Sequence, residues 1–176
     1  KQKIAELAAE LIMDGDTLIL DASSTALFIA QKIKTKKDIT LLTNSLEVLM
    51  ELSDVTGWKI LSTGGSLKER SCALIGSQAE ECLERFHVDK AFISCKGVDA
   101  EHGFSDSSDA HAAVKRKMIA AASQGFFAVD SSKFGKLSFT SISGFSGVDA
   151  VITENCPNED WNRLFITNDI ECIYPR

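Results

Sequence analysis

Short apolar runs alternate with amphipathic segments along the whole chain. Residues 17–20 and 39–43 are compact apolar runs of the kind that form buried strands. Residues 1–13 instead carry Ile4, Leu7, Ala8, Leu11 and Ile12 at helical spacing. Strands that alternate with helices predict a parallel sheet covered on both faces. The pattern therefore predicts an α/β fold, Rossmann-like, with a largely parallel sheet and helices on both sides.

The same pattern gives approximate element positions. Helices are predicted over residues 1–13, from 26 onward, and over 46–52, 76–86, 110–123 and 160–166. Strands are predicted over residues 17–20, 39–43, 58–62, 90–95, 126–129, 137–142, 150–153 and 170–174. The polar stretch 101–109 is predicted to interrupt this alternation. No internal repeat is present, and the chain is predicted to form one domain over residues 1–176.

The stretch from residue 17 to residue 25 combines a buried strand, a carboxylate and three hydroxyls. Asp21 ends the strand, and Ser23, Ser24 and Thr25 precede the next helix. A helix N-terminus offers unpaired N–H groups and partial positive charge, which attract anions. Ser and Thr also cap helices when no ligand is present. By itself the stretch favours neither interpretation.

Polar residues follow five predicted strands at the same end. In open α/β sheets, ligands bind at the carboxyl ends of the strands, near the point where strand order reverses. Each group also has a structural explanation as a cap, a turn or a surface charge, but their coincidence at one edge predicts a binding site. The residues are Asp21 with Ser23, Ser24 and Thr25; Asn44 and Ser45; Gly64 and Gly65; Lys96 and Gly97; and Asp130 with Lys133.

The residue types in this set suggest the kind of ligand. Hydroxyls at a helix N-terminus together with Lys96 and Lys133 suit a phosphate, because lysine binds phosphate as a point charge. Carboxylate and amide groups can exchange hydrogen bonds with sugar hydroxyls. A phosphorylated sugar or polyol is therefore the predicted ligand.

Composition narrows the class of protein. The 176 residues are 44% hydrophobic, and the formal net charge is −6, without a basic stripe, so this segment is not expected to bind DNA itself. The five cysteines are widely spaced with no Cys-x-x-Cys, which predicts free thiols and a cytoplasmic location. Because residue 1 is a lysine already in helical rhythm, the chain is expected to be a piece of a longer protein.

Motifs for other chemistries are absent or weak. The sequence has neither a P-loop nor a Gly-x-Gly-x-x-Gly, which removes support for nucleotide binding, and no cofactor is expected. An acid and histidine cluster could bind a metal ion, but a solvated loop is the favoured interpretation. Its members are Glu101, His102, Asp106, Asp109 and His111.

The ordered set of short motifs resembles the effector-sensing domain of DeoR-type bacterial transcriptional repressors. The resemblance covers essentially the whole chain. It rests on residues 4–17 (Ile-Ala-x-x-Ala-Ala-x-Leu-Ile-x-Asp-Gly-Asp-Thr), Asp21-x-x-Ser24-Thr25, Thr43-Asn44-Ser45, Gly64-Gly65, residues 92–99 (Phe-Ile-x-x-Lys-Gly-Val-Asp) and residues 130–135 (Asp-Ser-Ser-Lys-Phe-Gly).

The resemblance implies a fold related to ribose-5-phosphate isomerase and the CoA transferases. It also implies a sugar-phosphate effector, a dimer or tetramer, and DNA binding only through a winged helix-turn-helix ahead of this segment. By resemblance, Ser23, Ser24, Thr25 and Lys133 would hold the phosphate. The sugar would then be bound by Asp21, Asn44, Gly64, Gly65, Lys96, Gly97 and Asp130.

Two departures from the family pattern bear on ligand choice. The family more often has Gly and Thr in the middle of the turn formed here by residues 21–25. It also commonly has a Glu within residues 108–113, where this chain has Asp109 and His111.

A related isomerase is the alternative function. Aldose–ketose isomerisation needs a positioned general base, which Ser94 and Cys95 cannot supply and which Asp99 or Asp106 could. The sensor is the favoured interpretation, and catalytic activity is not expected.

Overall fold

The computed structural model describes residues 1–175 as a layered α/β fold. Its helices are α1 Gln2–Glu10, α2 Ser24–Ile33, α3 Leu46–Glu51, α4 Ser77–Leu83, α5 Asp109–Ala120 and α6 Glu159–Thr167. Its strands are β1 Thr17–Leu20, β2 Thr40–Thr43, β3 Lys59–Ser62, β4 Ser66–Lys68, β5 Ala73–Ile75, β6 Val88–Ile93, β7 Gly97–Asp99, β8 Gly103–Asp106, β9 Ala122–Ala128, β10 Thr140–Ser143, β11 Ala150–Ile152 and β12 Glu171–Ile173.

Seven strands form one parallel sheet in the order β12-β11-β9-β6-β1-β2-β3, which confirms the predicted fold class. The chain builds outward from β1 through β2 to β3, and then returns to the other side of β1 with β6. Strand order therefore reverses between β1 and β6. That boundary is where an open α/β sheet offers a crevice at its carboxyl edge.

Side chains that alternate along the strands divide the core into two layers. Leu18 and Leu20 of β1 belong to a buried cluster that includes residues of α1, α2 and α3, whereas Ile19 between them belongs to the cluster that includes residues of α4, α5 and α6. This alternation is the two-residue period of a strand. Helices thus cover both faces of the sheet, as the sequence pattern predicts. Of the helices in residues 1–175, none has the length and apolar character needed to cross a bilayer.

Two small sheets were not predicted. Strands β4 and β5 pair as an antiparallel hairpin, and β7, β8 and β10 form a three-stranded antiparallel sheet. The prediction that residues 101–109 only interrupt the fold is therefore wrong in part, since β8 lies inside them. Strand β8 reads Gly-Phe-Ser-Asp, and its polar side chains are buried by contacts with distant elements rather than marked by an apolar run.

Candidate ligand-binding site

A cavity of about 250 Å³ opens at the carboxyl edge of the sheet, beside the boundary between β1 and β6. Its volume lies near the lower limit of ligand pockets, about 300 Å³, so it suits a small metabolite. Serines and cations dominate its wall. The lining residues are Ala22, Ser23, Lys68, Ser71, Ser94, Cys95, Lys96, Asp106, Ser107, Ser108, His111 and Lys115.

Asp21 forms hydrogen bonds with both loops of one side of this cavity, the loop after β1 and the loop after β6. It follows β1 directly, is 1% exposed, and its N–H donates to Phe92 O at 3.3 Å. Its Oδ2 accepts the Ser94 N–H at 3.0 Å, and its Oδ1 accepts the Ser23 N–H at 3.1 Å. The carboxylate thus holds the loops after β1 and β6 in register across the point where strand order reverses.

Lys115 of α5 forms the buried floor of the cavity. Its Nζ donates to Asp106 Oδ2 at 2.7 Å and to the Ser94 carbonyl at 2.6 Å, and lies 3.4 Å from Asp21 Oδ2. Burial by itself lowers the pKa of this ammonium, but the nearby Asp21 and Asp106 carboxylates outweigh burial and raise it. Lys115 is therefore charged, and it compensates two buried carboxylates at once.

The other titratable groups of the cavity respond to Lys115. Burial raises the pKa of Asp106, but the Lys115 charge and hydrogen bond outweigh this and lower it. Burial and the Lys115 charge both lower the pKa of His111. Burial raises the pKa of the Cys95 thiol to about 12, so Cys95 is a neutral wall residue and not a nucleophile.

The start of α2 contributes one of its three predicted hydroxyls to the cavity. Ser23 lines the wall and also caps the helix, since its Oγ accepts the Ala26 N–H at 3.1 Å. Ser24 is exposed and accepts a hydrogen bond from Lys1 Nζ at 2.7 Å, while Thr25 is buried. The cap is therefore formed in this structure, and neither Ser24 nor Thr25 lines the cavity.

Two lysines bring positive charge that no carboxylate neutralises. Lys68, from the β4–β5 hairpin, donates through Nζ to Ser108 Oγ at 2.8 Å, and Ser108 is the N-cap of α5. Lys96 is exposed and follows β6. Within residues 1–175 neither ammonium group forms an ion pair, although both line the cavity. Both cations are available to an anionic ligand.

The loop after β2 holds the hairpin instead of lining the cavity. Asn44 is 2% exposed, and its Nδ2 donates to the Leu74 carbonyl at 2.9 Å. Asn44 Oδ1 is buried without a hydrogen-bond partner among the residues described. Ser45 caps α3, since its Oγ accepts the Val48 N–H at 3.2 Å. A helix cap was the structural explanation for Asn44 and Ser45 in the sequence, and Ser45 does form that cap.

At two of the three glycines predicted for the site, neighbouring backbone comes so close that no side chain fits. At Gly65 (φ +109°) an added Cβ would lie 2.6 Å from the Ile75 carbonyl oxygen, and at Gly97 it would lie 2.4 Å from the Lys136 carbonyl oxygen. Such distances are far below van der Waals contact. Gly64 has a φ of +67° and open space around it. None of the three is among the cavity-lining residues.

Asp130 precedes a short 3-10 turn, Ser131–Lys133, that follows β9, and Lys133 is the last residue of this turn. Asp130 Oδ1 accepts the Ser132 N–H at 3.2 Å, so this carboxylate caps the turn. Lys133 is half-buried, and within residues 1–175 its ammonium forms no ion pair. Neither residue lines the cavity in this structure.

The acid and histidine cluster separates into different contacts. His102 Nδ1 lies 2.7 Å from Asp99 Oδ1, Asp106 binds Lys115, and His111 lines the cavity. In residues 1–175 no three His, Cys, Asp or Glu side chains are grouped so that they could hold a metal ion.

Most residues of the cavity wall were not predicted from the sequence to bind the ligand. Lys115 carried a usable signal, because it lies three residues from both Ala112 and Met118 on the buried side of α5. A lysine on that side needs buried carboxylates. Lys68 and Ser71 carried no comparable signal, since the short hairpin that bears them has no apolar periodicity. Asp106 and His111 were considered only as possible metal ligands, and Asp106 also as a possible base. The polar lining residues that were not assigned to any binding role are Lys68, Ser71, Ser94, Ser107, Ser108 and Lys115.

Comparison with known sequences identifies relatives over most of the chain. The family profile described as "DeoR C terminal sensor domain" matches residues 1–155. The chain is 41% identical to the HTH-type transcriptional regulator YulB of Bacillus subtilis, over 88% of this chain and 60% of that protein. It is 39% identical to the HTH-type transcriptional repressor GlcR of the same organism, over 98% of this chain and 66% of that protein.

A more distant relative is the putative aga operon transcriptional repressor of Escherichia coli O157:H7, 32% identical over 88% of this chain and 57% of that protein. The chain thus spans 57–66% of the length of these three regulators.

Solved structures share the fold at low sequence identity. Ribose 5-phosphate isomerase A of Methanocaldococcus jannaschii matches with a TM-score of 0.55 and 18% identity, over 77% of this chain and 54% of that chain. The translation initiation factor eIF-2B of Pyrococcus horikoshii matches with a TM-score of 0.58 and 16% identity, over 86% of this chain and 61% of that chain. At these identities the likeness concerns the fold alone.

Proposed function

The chain belongs to the family of DeoR C-terminal sensor domains, and from that membership we propose that it binds a phosphorylated sugar or polyol in the cavity at the β1/β6 boundary. Residues 1–176 would act as one effector-binding domain. Binding would change the affinity of the whole protein for its operator DNA.

The observation that carries the ligand class is a pair of lysines that have no carboxylate partner within residues 1–175. Lys68 and Lys96 both line a cavity that is otherwise rich in hydroxyls and backbone groups. Their charge is not compensated by the wall, because Asp106 is already paired with Lys115. An anionic ligand supplies the missing charge, and a phosphate accepts hydrogen bonds from ammonium, hydroxyl and N–H donors alike.

The sugar part of the ligand is supported by neutral hydrogen-bonding groups. Ser23, Ser71 and Ser108 lie on the cavity wall and can both donate and accept. Asn44 Oδ1, in the loop after β2, is a buried acceptor that has no hydrogen-bond partner within residues 1–175. Under this proposal the other residues predicted for the site shape the loops around the cavity, and a ligand larger than the cavity would reach some of them. These residues are Ser24, Thr25, Asn44, Ser45, Gly64, Gly65, Gly97, Asp130 and Lys133.

For the whole protein we propose a winged helix-turn-helix ahead of residue 1, a cytoplasmic location, and a homodimer or homotetramer. The relatives YulB and GlcR are named as HTH-type regulators and are longer than this chain. The net charge of −6 agrees with DNA binding by another segment.

Sequence relatives are regulators, so the isomerase alternative loses its support. Asp106 and His111 do line the cavity, which makes the absence of turnover worth measuring. Incubation with ribose 5-phosphate is expected to yield no ketose above a protein-free control. Ketose formation at an enzyme-like rate would contradict the sensor proposal.

A thermal-shift panel of hexose, pentose and triose phosphates tests the proposal. A ligand present at 100 times its Kd adds about 2.7 kcal/mol to the free energy of unfolding, which is readily seen as a higher Tm. The corresponding unphosphorylated sugars are the ligand control.

The matched protein variants are Lys96→Met, which removes a cavity cation, and Lys59→Met, which removes an exposed lysine of β3 outside the cavity. The shift should shrink in Lys96→Met and persist in Lys59→Met. No shift with any phosphorylated sugar, or equal shifts in both variants, would contradict the proposal.

A further inference from the structure

The imidazole ring of His111 lies among the charged groups of the cavity and forms no hydrogen bond with the part of the chain that the structure describes. It lies in the first turn of α5, is half-buried and lines the cavity. Neither ring nitrogen forms a hydrogen bond with residues 1–175, while the backbone N–H of His111 donates to Ser108 Oγ at 3.5 Å. A ring with two free nitrogens facing a cavity can bind a ligand through either of them.

Charges from four elements act on this ring. Lys115 on α5 and Lys68 on β4 oppose a positive charge there, while Asp106 on β8 and Asp21 after β1 favour one. Lys96, after β6, lines the same cavity. Both carboxylates are already engaged by Lys115, which leaves their effect on His111 weakened. The partial positive charge at the start of α5 also opposes protonation.

The consequence is a neutral imidazole in the empty cavity at pH 7. Burial, followed by the Lys115 charge, lowers the pKa of His111 from its ordinary 6.5. An oxyanion that enters the cavity reverses this balance, because it adds negative charge beside the ring and accepts an N–H bond from it.

We propose that His111 senses the charge of the cavity's occupant: it is neutral when the cavity is empty and takes up a proton when a doubly charged oxyanion binds. This inference rests on the proposed function and names the ligand feature that the site reads, the dianionic form of a phosphomonoester. The proton comes from solvent and resides on the imidazole, so no covalent step is involved.

The proposal gives the direction of a pH dependence. Proton uptake on binding means that affinity falls as pH rises from the pKa of the empty state toward that of the bound state. A rise of one pKa unit on binding corresponds to about tenfold tighter binding at the acid end of that interval. The second pKa of a phosphate is about 6 and overlaps this interval, so a phosphate probe would add its own titration.

Inorganic sulfate avoids that overlap, because it carries the same double charge and does not titrate near neutral pH. The experiment follows the His111 ring signals by NMR during a pH titration, without sulfate and with it, at matched ionic strength set by sodium chloride. We expect the pKa of His111 to rise in sulfate. His111→Gln assigns the signal, and exposed His87, outside this cavity, is the internal control.

The two possible failures can be told apart. If sulfate shifts the amide signals of Ser23, Ser94 and Lys96 while the pKa of His111 stays unchanged, anions enter the cavity and the role of His111 is wrong. If sulfate moves none of these signals, the inference is overturned as well, because no oxyanion reaches the ring. The proposed function is tested separately by the sugar-phosphate panel.

Discussion

Lys115 Nζ lies 2.7 Å from Asp106 Oδ2, and both side chains are buried beneath the cavity. The same ammonium lies 3.4 Å from Asp21 Oδ2, so one lysine compensates two carboxylates that belong to different elements of the fold. The arrangement joins α5, β8 and the loop after β1 at one point. It makes the cavity floor an electrostatic unit, and removal of one member should disturb the others.

Lys115→Met should destabilise the fold strongly. The substitution keeps the apolar stem but leaves Asp21 and Asp106 buried without their counter-charge, which typically costs about 3–5 kcal/mol. Urea denaturation at pH 7 measures the change in the free energy of unfolding.

Lys117→Met is the matched control on the same helix. Lys117 pairs with Glu84 in an exposed position, and such pairs contribute at most about 1 kcal/mol. A loss in Lys115→Met no larger than in this control would show that Lys115 does not compensate the two carboxylates.

Stability should fall in acid because of Asp106. Burial opposes ionisation of Asp106, but Lys115 outweighs it and holds the pKa of the folded state below the ordinary 3.8. A lowered folded-state pKa gives a stabilisation that is present above the ordinary value and is lost as pH falls through the folded one.

Urea midpoints measured from pH 6 downward should therefore show a decline below about pH 4 that is shallower in Asp106→Asn. Parallel declines in the two proteins would contradict the assigned role of Asp106.

Part of this site could be anticipated from sequence, for a physical reason. The carboxyl ends of parallel strands share one edge, so Asp21, Ser23 and Lys96 could be assigned to that edge from the apolar runs before them. The structure brings Ser23 and Lys96 to the cavity wall and puts Asp21 beneath it. Asn44 and Asp130 lie on the same edge but make structural bonds instead.

The rest depends on contacts between segments that lie far apart in the chain. Lys68 reaches the cavity because the β4–β5 hairpin folds over the start of α5, where Ser108 accepts its hydrogen bond 40 residues later. No local pattern encodes that approach. Asp106 lies in a polar stretch of the sequence that predicts a solvated loop, yet its side chain is buried and accepts a hydrogen bond from Lys115.

Gly97→Ala should destabilise the edge of the site. The added Cβ would meet the Lys136 carbonyl oxygen at 2.4 Å, and overpacking of this kind typically costs about 1–3 kcal/mol. Gly144→Ala is the control, since nothing lies within 4 Å of its added Cβ. Thermal denaturation should show a lower Tm for the first variant only. An unchanged Tm in Gly97→Ala would mean that the backbone around Gly97 can shift to accept the added Cβ without a loss of stability.

Asn44→Ala should loosen the hairpin that carries Lys68. The change removes the 2.9 Å bond from Asn44 Nδ2 to the Leu74 carbonyl, a loss of about 1 kcal/mol. Hydrogen exchange over residues 66–75 should become faster, while exchange in β1 stays unchanged. Uniform acceleration in both segments would indicate global destabilisation and no specific role for Asn44.

Mapping a bound sugar phosphate by NMR tests whether the ligand occupies the cavity at the β1/β6 boundary. The ligand that raises Tm most in the panel is titrated into isotopically labelled protein, with its unphosphorylated sugar as the control. We expect the largest amide shifts at residues of the cavity wall, which are Ser23, Ser94, Lys96 and Ser108. Shifts concentrated elsewhere, for example along the separate groove between Leu83 and Ala121, would contradict it.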